Sequence, residues 1–78
     1  MREELGVITN AYIKNRESRG WSLTLEIELL IGYIQHVLPL SSAAQFLDKI
    51  DVTELSQLVG KPCICTGTEN EAFFDRMK

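Results

Sequence analysis

The segment from Trp21 to Leu29 constrains the fold more than any other part of the chain. It reads Trp-Ser-Leu-Thr-Leu-Glu-Ile-Glu-Leu, with an apolar residue at every odd position and a polar residue at every even one. Successive side chains of a β-strand point to opposite faces, whereas a helix would spread these apolar residues around its circumference. The alternation therefore predicts a strand with one buried face and one exposed polar face.

Shorter patterns predict the other strands of an antiparallel sheet. A first strand is predicted at 6–13, with Val7, Ala11 and Ile13 on one face and Ile8 and Tyr12 on the other. The polar segment 14–20, which ends in glycine, is expected to be the loop leading into the alternating strand. The remaining predictions are a third strand at 33–38, a fourth at 61–66, a turn at 67–70 and a fifth strand at 72–74, with a last helical turn as the alternative at 72–74.

One helix is predicted after Pro39, which ends the third strand because it lacks a backbone donor. Ser42 and Gln45 have the spacing of a capping box, in which each side chain satisfies an amide near the start of a helix. A single apolar stripe with helical spacing follows. Its members are Ala43, Phe46, Leu47 and Ile50.

A short second helix is predicted before the fourth strand. Asp51 or Thr53 offers its N-cap, and Gly60 fits the left-handed residue that closes a helix. The apolar positions between them are Leu55, Leu58 and Val59.

These elements predict a single α+β domain over residues 1–78. The expected order is β-β-β-α-α-β-β, with an antiparallel sheet of four to five strands packed on one helix plus a short second helix. The apolar stripe of the helix covers the apolar face of the sheet and forms one core. The core residues predicted are Trp21, Leu23, Leu25, Ile27, Phe46, Leu47, Ile50, Leu55 and Leu58.

Composition limits the functional classes. The net charge is −3, and a surface that binds nucleic acid is usually basic. Lys14, Arg16 and Arg19 do cluster, with Glu17 between them, so a solvated loop and a nucleic-acid contact both remain interpretations. The chain begins Met-Arg-Glu-Glu and has no apolar run near the roughly 20 residues of a membrane span, so we expect a cytoplasmic protein.

The residues that could carry chemistry are few. Cys63 and Cys65 with His36, the sole histidine, could make a three-ligand zinc site, although structural zinc normally takes four ligands. Two cysteines on a strand are more typical of small apolar core residues. The sequence contains no nucleophile-elbow motif and no second histidine that could act together with His36. We therefore expect no catalytic residues, no cofactor and no bound metal.

Acidic and aromatic residues are the better candidates for contact with a partner. Glu26 and Glu28 share the polar face of the alternating strand, and a charged face of this kind is either merely solvated or meets a basic partner. Phe73 and Phe74 are adjacent, so one can enter the core while the other anchors an interface. The predicted partner-binding residues are Glu26, Glu28, Glu69, Glu71, Phe74 and Asp75.

Two parts of the sequence resemble a family of small phage and prophage proteins. The first joins Gly6-Val7-Ile8 to Gly20-Trp21-Ser22-Leu23-Thr24-Leu25, and the second runs from Val52 to Pro62 and contains Leu58-Val59-Gly60-Lys61-Pro62. The chain is shorter than the pattern and lacks the glycine-rich stretch usual after its second strand. The resemblance implies a mobile-element origin and carries over no catalytic residues.

These observations predict a phage or prophage accessory protein that acts by protein–protein interaction in the bacterial host cell. The most specific version is inhibition of a host defence system such as CRISPR-Cas, through a host protein or a nucleic-acid-binding defence complex. One alternative is a small β domain that binds nucleic acid, and another is a zinc protein using Cys63, Cys65 and His36. Because an outer strand can pair with a second copy, a homodimer through a sheet edge is also considered.

Overall fold

The computed structural model describes residues 2–30, 32–68 and 70–78. Within these residues the chain forms an antiparallel sheet, one α-helix and one 3-10 turn, so the class is α+β or mainly β. The second helix is thus a 3-10 turn of four residues instead of an α-helix. The elements are β1 (Arg2–Arg16), β2 (Gly20–Leu29), β3 (Gly32–Pro39), α1 (Leu40–Lys49), the 3-10 turn (Leu55–Leu58), β4 (Pro62–Gly67) and β5 (Ala72–Met77).

The sheet has the strand order β3-β2-β1-β4-β5, and β1 is its central strand. The part of β1 from Gly6 to Arg16 pairs with β2, while the part from Arg2 to Val7 pairs with β4. The two outermost strands, β3 and β5, come into contact. The sheet is therefore curled into a partly closed barrel, with the core on its inner side.

A β-bulge at Thr9 changes which residues of β1 face the core. Ile8 lies opposite Ile27, but the register then shifts, and Ala11 lies opposite Leu25. A bulge inserts one extra residue, so the alternation of faces is reset beyond it. The prediction that Val7 shares a face with Ala11 and Ile13 is therefore wrong, because Ile8 takes the inner position before the bulge.

The predicted core is confirmed except at its first member. Phe46, Leu47, Ile50 and Leu55 are partly buried against the core cluster. Trp21 is 58% exposed, since it lies one residue after the hairpin loop and opposite Asn15, a polar residue. The buried cluster consists of Ile8, Leu23, Leu25, Ile27, Leu29, Ala43, Val52, Leu58, Cys63 and Cys65.

Both predicted helix starts are displaced. The helix α1 begins at Leu40 directly after Pro39, with no side-chain cap, so the capping box predicted at Ser42 and Gln45 is wrong. The 3-10 turn begins after Glu54 instead of after Asp51 or Thr53. There the Oε1 atom of Gln57 accepts hydrogen bonds from the backbone N–H groups of Thr53 at 2.8 Å and Glu54 at 3.2 Å.

The end of the chain agrees with the sequence prediction. Gly60 takes the left-handed conformation expected after the second helical segment, with φ of 89°. The fifth strand predicted at 72–74 is confirmed and extends over Ala72–Met77, which excludes the alternative of a helical turn. Within the turn predicted at 67–70, Glu69 lies outside the described residues.

A substitution at Gly6 should test the close packing where β1 passes between β2 and β4. An added Cβ would lie 2.8 Å from Ile27 Cγ2, 3.0 Å from Leu29 Cδ2 and 3.3 Å from Cys63 Sγ. Because these atoms belong to buried core residues, we expect Gly6→Ala to lower the free energy of unfolding by about 1–3 kcal/mol in urea titrations.

The matched control is Gly32→Ala, where nothing in the described part of the chain lies within 4 Å of an added Cβ. Its free energy of unfolding should stay within about 0.5 kcal/mol of the wild-type value. Equal effects of the two substitutions would contradict the packing described for Gly6.

Candidate partner-binding surface

The polar side chains of β2 lie on the outer face of the sheet, opposite the core. Sequence alternation predicts that this face is uniformly exposed, but Ser22 and Thr24 are fully buried. The guanidinium of Arg16, from β1, donates a hydrogen bond of 2.9 Å from Nη2 to Thr24 Oγ1. One end of the polar face is therefore covered by its neighbours, and Glu28 at the other end is exposed.

Glu26 is held in the middle of the outer face by hydrogen bonds from both neighbouring strands. Tyr12 Oη on β1 donates to Glu26 Oε2 at 3.1 Å, and Gln35 Nε2 on β3 donates to the same oxygen at 3.4 Å. Burial, and then the hydrogen bond to Glu26, raise the pKa of Tyr12. Glu26 is thus an ordered acceptor tied to its neighbours, while Glu28 is the carboxylate more open to a partner.

A groove lies beside Glu28 at the end of the sheet where β2 stops. It has a volume of about 580 Å³. Three of its apolar side chains are exposed: Leu5 by 54%, Val7 by 39% and Leu30 by 97%. We call the groove formed by Leu5, Val7, Glu28 and Leu30 the β1 groove. Exposed apolar side chains grouped in one concave place are typical of an interaction site.

Charged residues form the rim of the β1 groove. Arg2 and Glu4 line it together with Glu28, and Arg2 Nη2 lies 3.2 Å from Glu4 Oε1. A smaller cleft of about 180 Å³ adjoins it and is lined by Arg2, Glu4 and Glu71, among others. The structure therefore brings two of the predicted acidic residues, Glu28 and Glu71, to the same end of the sheet.

The other predicted contact residues lie elsewhere or face inward. Asp75 forms an ion pair with Arg76, which also lies 3.0 Å from Glu3 Oε2. Glu69 is outside the described residues. Phe74 is partly buried, so the exposed aromatic residue of the pair is Phe73, at 55% exposure.

Phe74 closes the barrel between its two outermost strands. Its ring stacks on His36 of β3 with a centroid separation of 4.7 Å, and it meets the edge of Phe46 of α1 at 5.9 Å. Such contacts add to the burial of the rings themselves. Phe74 therefore packs between β3 and α1 and stabilises the closure of the barrel, whether or not it also contacts a partner.

The residues considered for zinc are part of the core. Cys63 and Cys65 are fully buried, and burial raises the pKa of the Cys63 thiol to about 12. Zinc binds the thiolate, so this environment works against metal binding. No group of three or more histidine, cysteine and acidic residues able to hold a metal ion occurs in the described ranges.

Sequence reasoning missed the β1 groove for a definable reason. It assigned Val7 to the same face as Ala11 and Ile13, because the bulge at Thr9 leaves no trace in the apolar pattern. Leu30 offered a signal, since it follows Leu29 and so breaks the alternation of β2. An apolar residue out of phase at the end of a strand must face outward or begin a new element.

The chain matches no protein-family model, no curated protein and no solved structure.

Among the described residues, no helix combines the length and apolar character needed to cross a membrane.

The environment of His36 generates a prediction for acid stability. Burial lowers the pKa of His36, so the unfolded chain takes up the proton first as pH falls. The stabilisation from neutral His36 is full above the ordinary pKa of about 6.5 and is lost as pH falls through the lowered pKa. The free energy of unfolding measured in urea should therefore be lower at about pH 5.5 than at about pH 7.5.

The control is His36→Gln, because the glutamine side chain at position 36 does not titrate in this range. Its free energy of unfolding should fall less than that of the wild type between the same two pH values. An equal fall in both proteins would show that other groups account for the pH dependence.

Proposed function

We propose that this chain is a phage or prophage accessory protein that acts by binding a host protein and not by catalysis. Its most specific form is inhibition of a bacterial defence system such as CRISPR-Cas, inside the bacterial cell. The observation that carries the proposal is the β1 groove, in which Leu5, Val7 and Leu30 are exposed beside the carboxylate of Glu28.

The β1 groove has the composition of a binding site for a protein surface. Burying apolar area against a partner contributes about 25 cal/mol per Å² before the costs of association. Acidic residues at the rim steer a basic partner and favour its encounter more than they add to affinity. Defence complexes that bind nucleic acid present basic surfaces, and this supports such a complex as the partner.

The proposal is tested by phage plaque counts on bacteria that each carry one CRISPR-Cas system. Expression of the wild-type protein should raise plaque formation on at least one strain by about tenfold or more. Leu30→Asp should abolish this gain, because it places a charge in the β1 groove at a side chain that is 97% exposed and not needed by the core.

The matched control is Leu40→Asp, at a leucine that is 48% exposed at the start of α1. An acidic residue is tolerated at a helix start, so this variant should keep the wild-type gain. No gain with the wild type on any strain would refute inhibition of CRISPR-Cas, the most specific form of the proposal. Equal losses in both variants would refute the role of the β1 groove.

A second candidate function, binding of single-stranded nucleic acid, is favoured by the strand topology. A central β1 shared by β2 and β4, contact between β3 and β5, and a helix between β3 and β4 are the arrangement of OB-type barrels. Such barrels bind oligonucleotides on strands 2 and 3 and on the loop between strands 1 and 2. The loop is shorter than the predicted 14–20, so only Arg19 lies in it, while Lys14 and Arg16 stand at the adjoining end of β1. Glu26 and Glu28 on β2 would repel a phosphate chain.

Fluorescence anisotropy with a labelled single-stranded oligonucleotide tests this second function. Contact with three phosphates predicts that the affinity falls by roughly 10- to 20-fold between about 50 and about 200 mM salt. Arg19→Glu should weaken binding, and Lys49→Glu, the same charge change on α1, should not. Binding that is absent, or that both variants weaken equally, would contradict a site at the loop.

A further inference from the structure

The N-terminal part of β1 has a strand partner on one side only. Arg2 to Leu5 pair with β4, but the pairing with β2 begins at Gly6, opposite Leu29. In the described part of the chain no strand pairs with these four residues on the β2 side. Since alternate residues of a strand direct both backbone groups to the same neighbour, this edge presents N–H and C=O groups that another strand can pair with.

The space beside this edge is open on both faces of the sheet. The β1 groove adjoins it on the outer face, and the smaller cleft lies beside it with Ile34 and Ala72 among its lining residues. Arg2, Glu4 and Leu29 line both. An extended segment laid along the edge would therefore place alternate side chains in two different recesses.

The charges at the edge decide between a second copy and a different protein. Antiparallel pairing of 2–5 with the same segment of another copy places glutamates directly opposite each other in the registers centred on this segment. These pairs are Glu3 with Glu4, Glu3 with Glu3, or Glu4 with Glu4. The register that pairs Glu3 with Glu3 also sets Arg2 opposite Glu4, whereas the other two registers bring no opposite charges of 2–5 together. Like charges directly opposite are destabilising, whereas basic residues opposite Glu3 and Glu4 are favourable.

We propose that the edge of β1 at 2–5 is the docking site for one extended segment of a partner protein, which adds to the sheet as a strand. The segment carries an apolar side chain opposite Leu5 and basic side chains opposite Glu4 and Glu3. Main-chain hydrogen bonds supply affinity in this mode, and the recesses for alternate side chains supply specificity. This inference rests on the proposed function, since it states how the host protein is held.

Hydrogen exchange with synthetic peptides tests the docking edge on the full chain. The probe is an eight-residue peptide with a valine followed by lysine and arginine at its centre, and the comparison peptide has two glutamates in place of the basic residues. The basic peptide should slow exchange of amides within 2–5 and the acidic peptide should not. A basic peptide with alternate N-methylated amides, which cannot pair with the edge, should lose its effect.

Charge reversal supplies the matched variants. Glu4→Lys should weaken the basic peptide by about threefold to tenfold, while Glu17→Lys, the same change in the β1–β2 loop, should leave it unchanged. No protection by the basic peptide, or protection away from 2–5, would overturn the proposal. Protection at 2–5 that appears without peptide and grows with protein concentration would also overturn it, in favour of a second copy.

The outcomes separate this inference from the proposed function. If Leu30→Asp abolishes defence inhibition but the basic peptide gives no protection, the β1 groove is used in another way and strand addition is wrong. If the peptide is bound as described but the wild-type protein inhibits no defence system, strand addition stands and the host target is wrong.

Discussion

The structure depends on the point in β1 where its partner strand changes. Gly6 and Val7 are paired on both sides at once, with β2 on one side and β4 on the other. On the N-terminal side of these residues β1 pairs with β4, and on the C-terminal side it pairs with β2. The absence of a side chain at Gly6 lets Ile27, Leu29 and Cys63 meet there, so the two halves of the sheet share one core. The curl of the barrel and the open end beside Leu30 both follow from this change of partner.

The sequence was informative where one strand's own pattern decides its environment. The alternation of β2 predicted the burial of Leu23, Leu25 and Ile27, and the stripe of α1 predicted its packing. The pattern failed where a neighbouring strand decides whether a side chain is buried. Trp21 is in phase with the buried residues of β2 but is exposed, because it lies opposite a polar residue near the hairpin. The bulge at Thr9 likewise depends on how β1 fits β2, which no periodicity within β1 records.

The candidate surface was predictable in its charges but not in its apolar part. Glu28 was predicted from the polar face of β2 and lies on the rim of the groove. Leu5 and Val7 could not be assigned to the surface without the register of β1, because apolar residues on a strand are expected to face inward. Phe74 was expected to contact a partner, yet it joins β3, β5 and α1 through stacked and edge contacts.

The pairing of β1 with β4 also sets an order of assembly. The other strand pairs join neighbouring segments, whereas β1 and β4 bring residues 2–7 to residues 62–67 across the full length of the intervening chain. Closing so long a loop costs more entropy than forming a hairpin, so this pairing is favoured late. During synthesis, Arg2 to Leu5 therefore remain unpaired with β4 until β4 has been synthesised. The adjacent glutamates in that segment then act as gatekeepers, because their repulsion discourages nascent chains from pairing with one another.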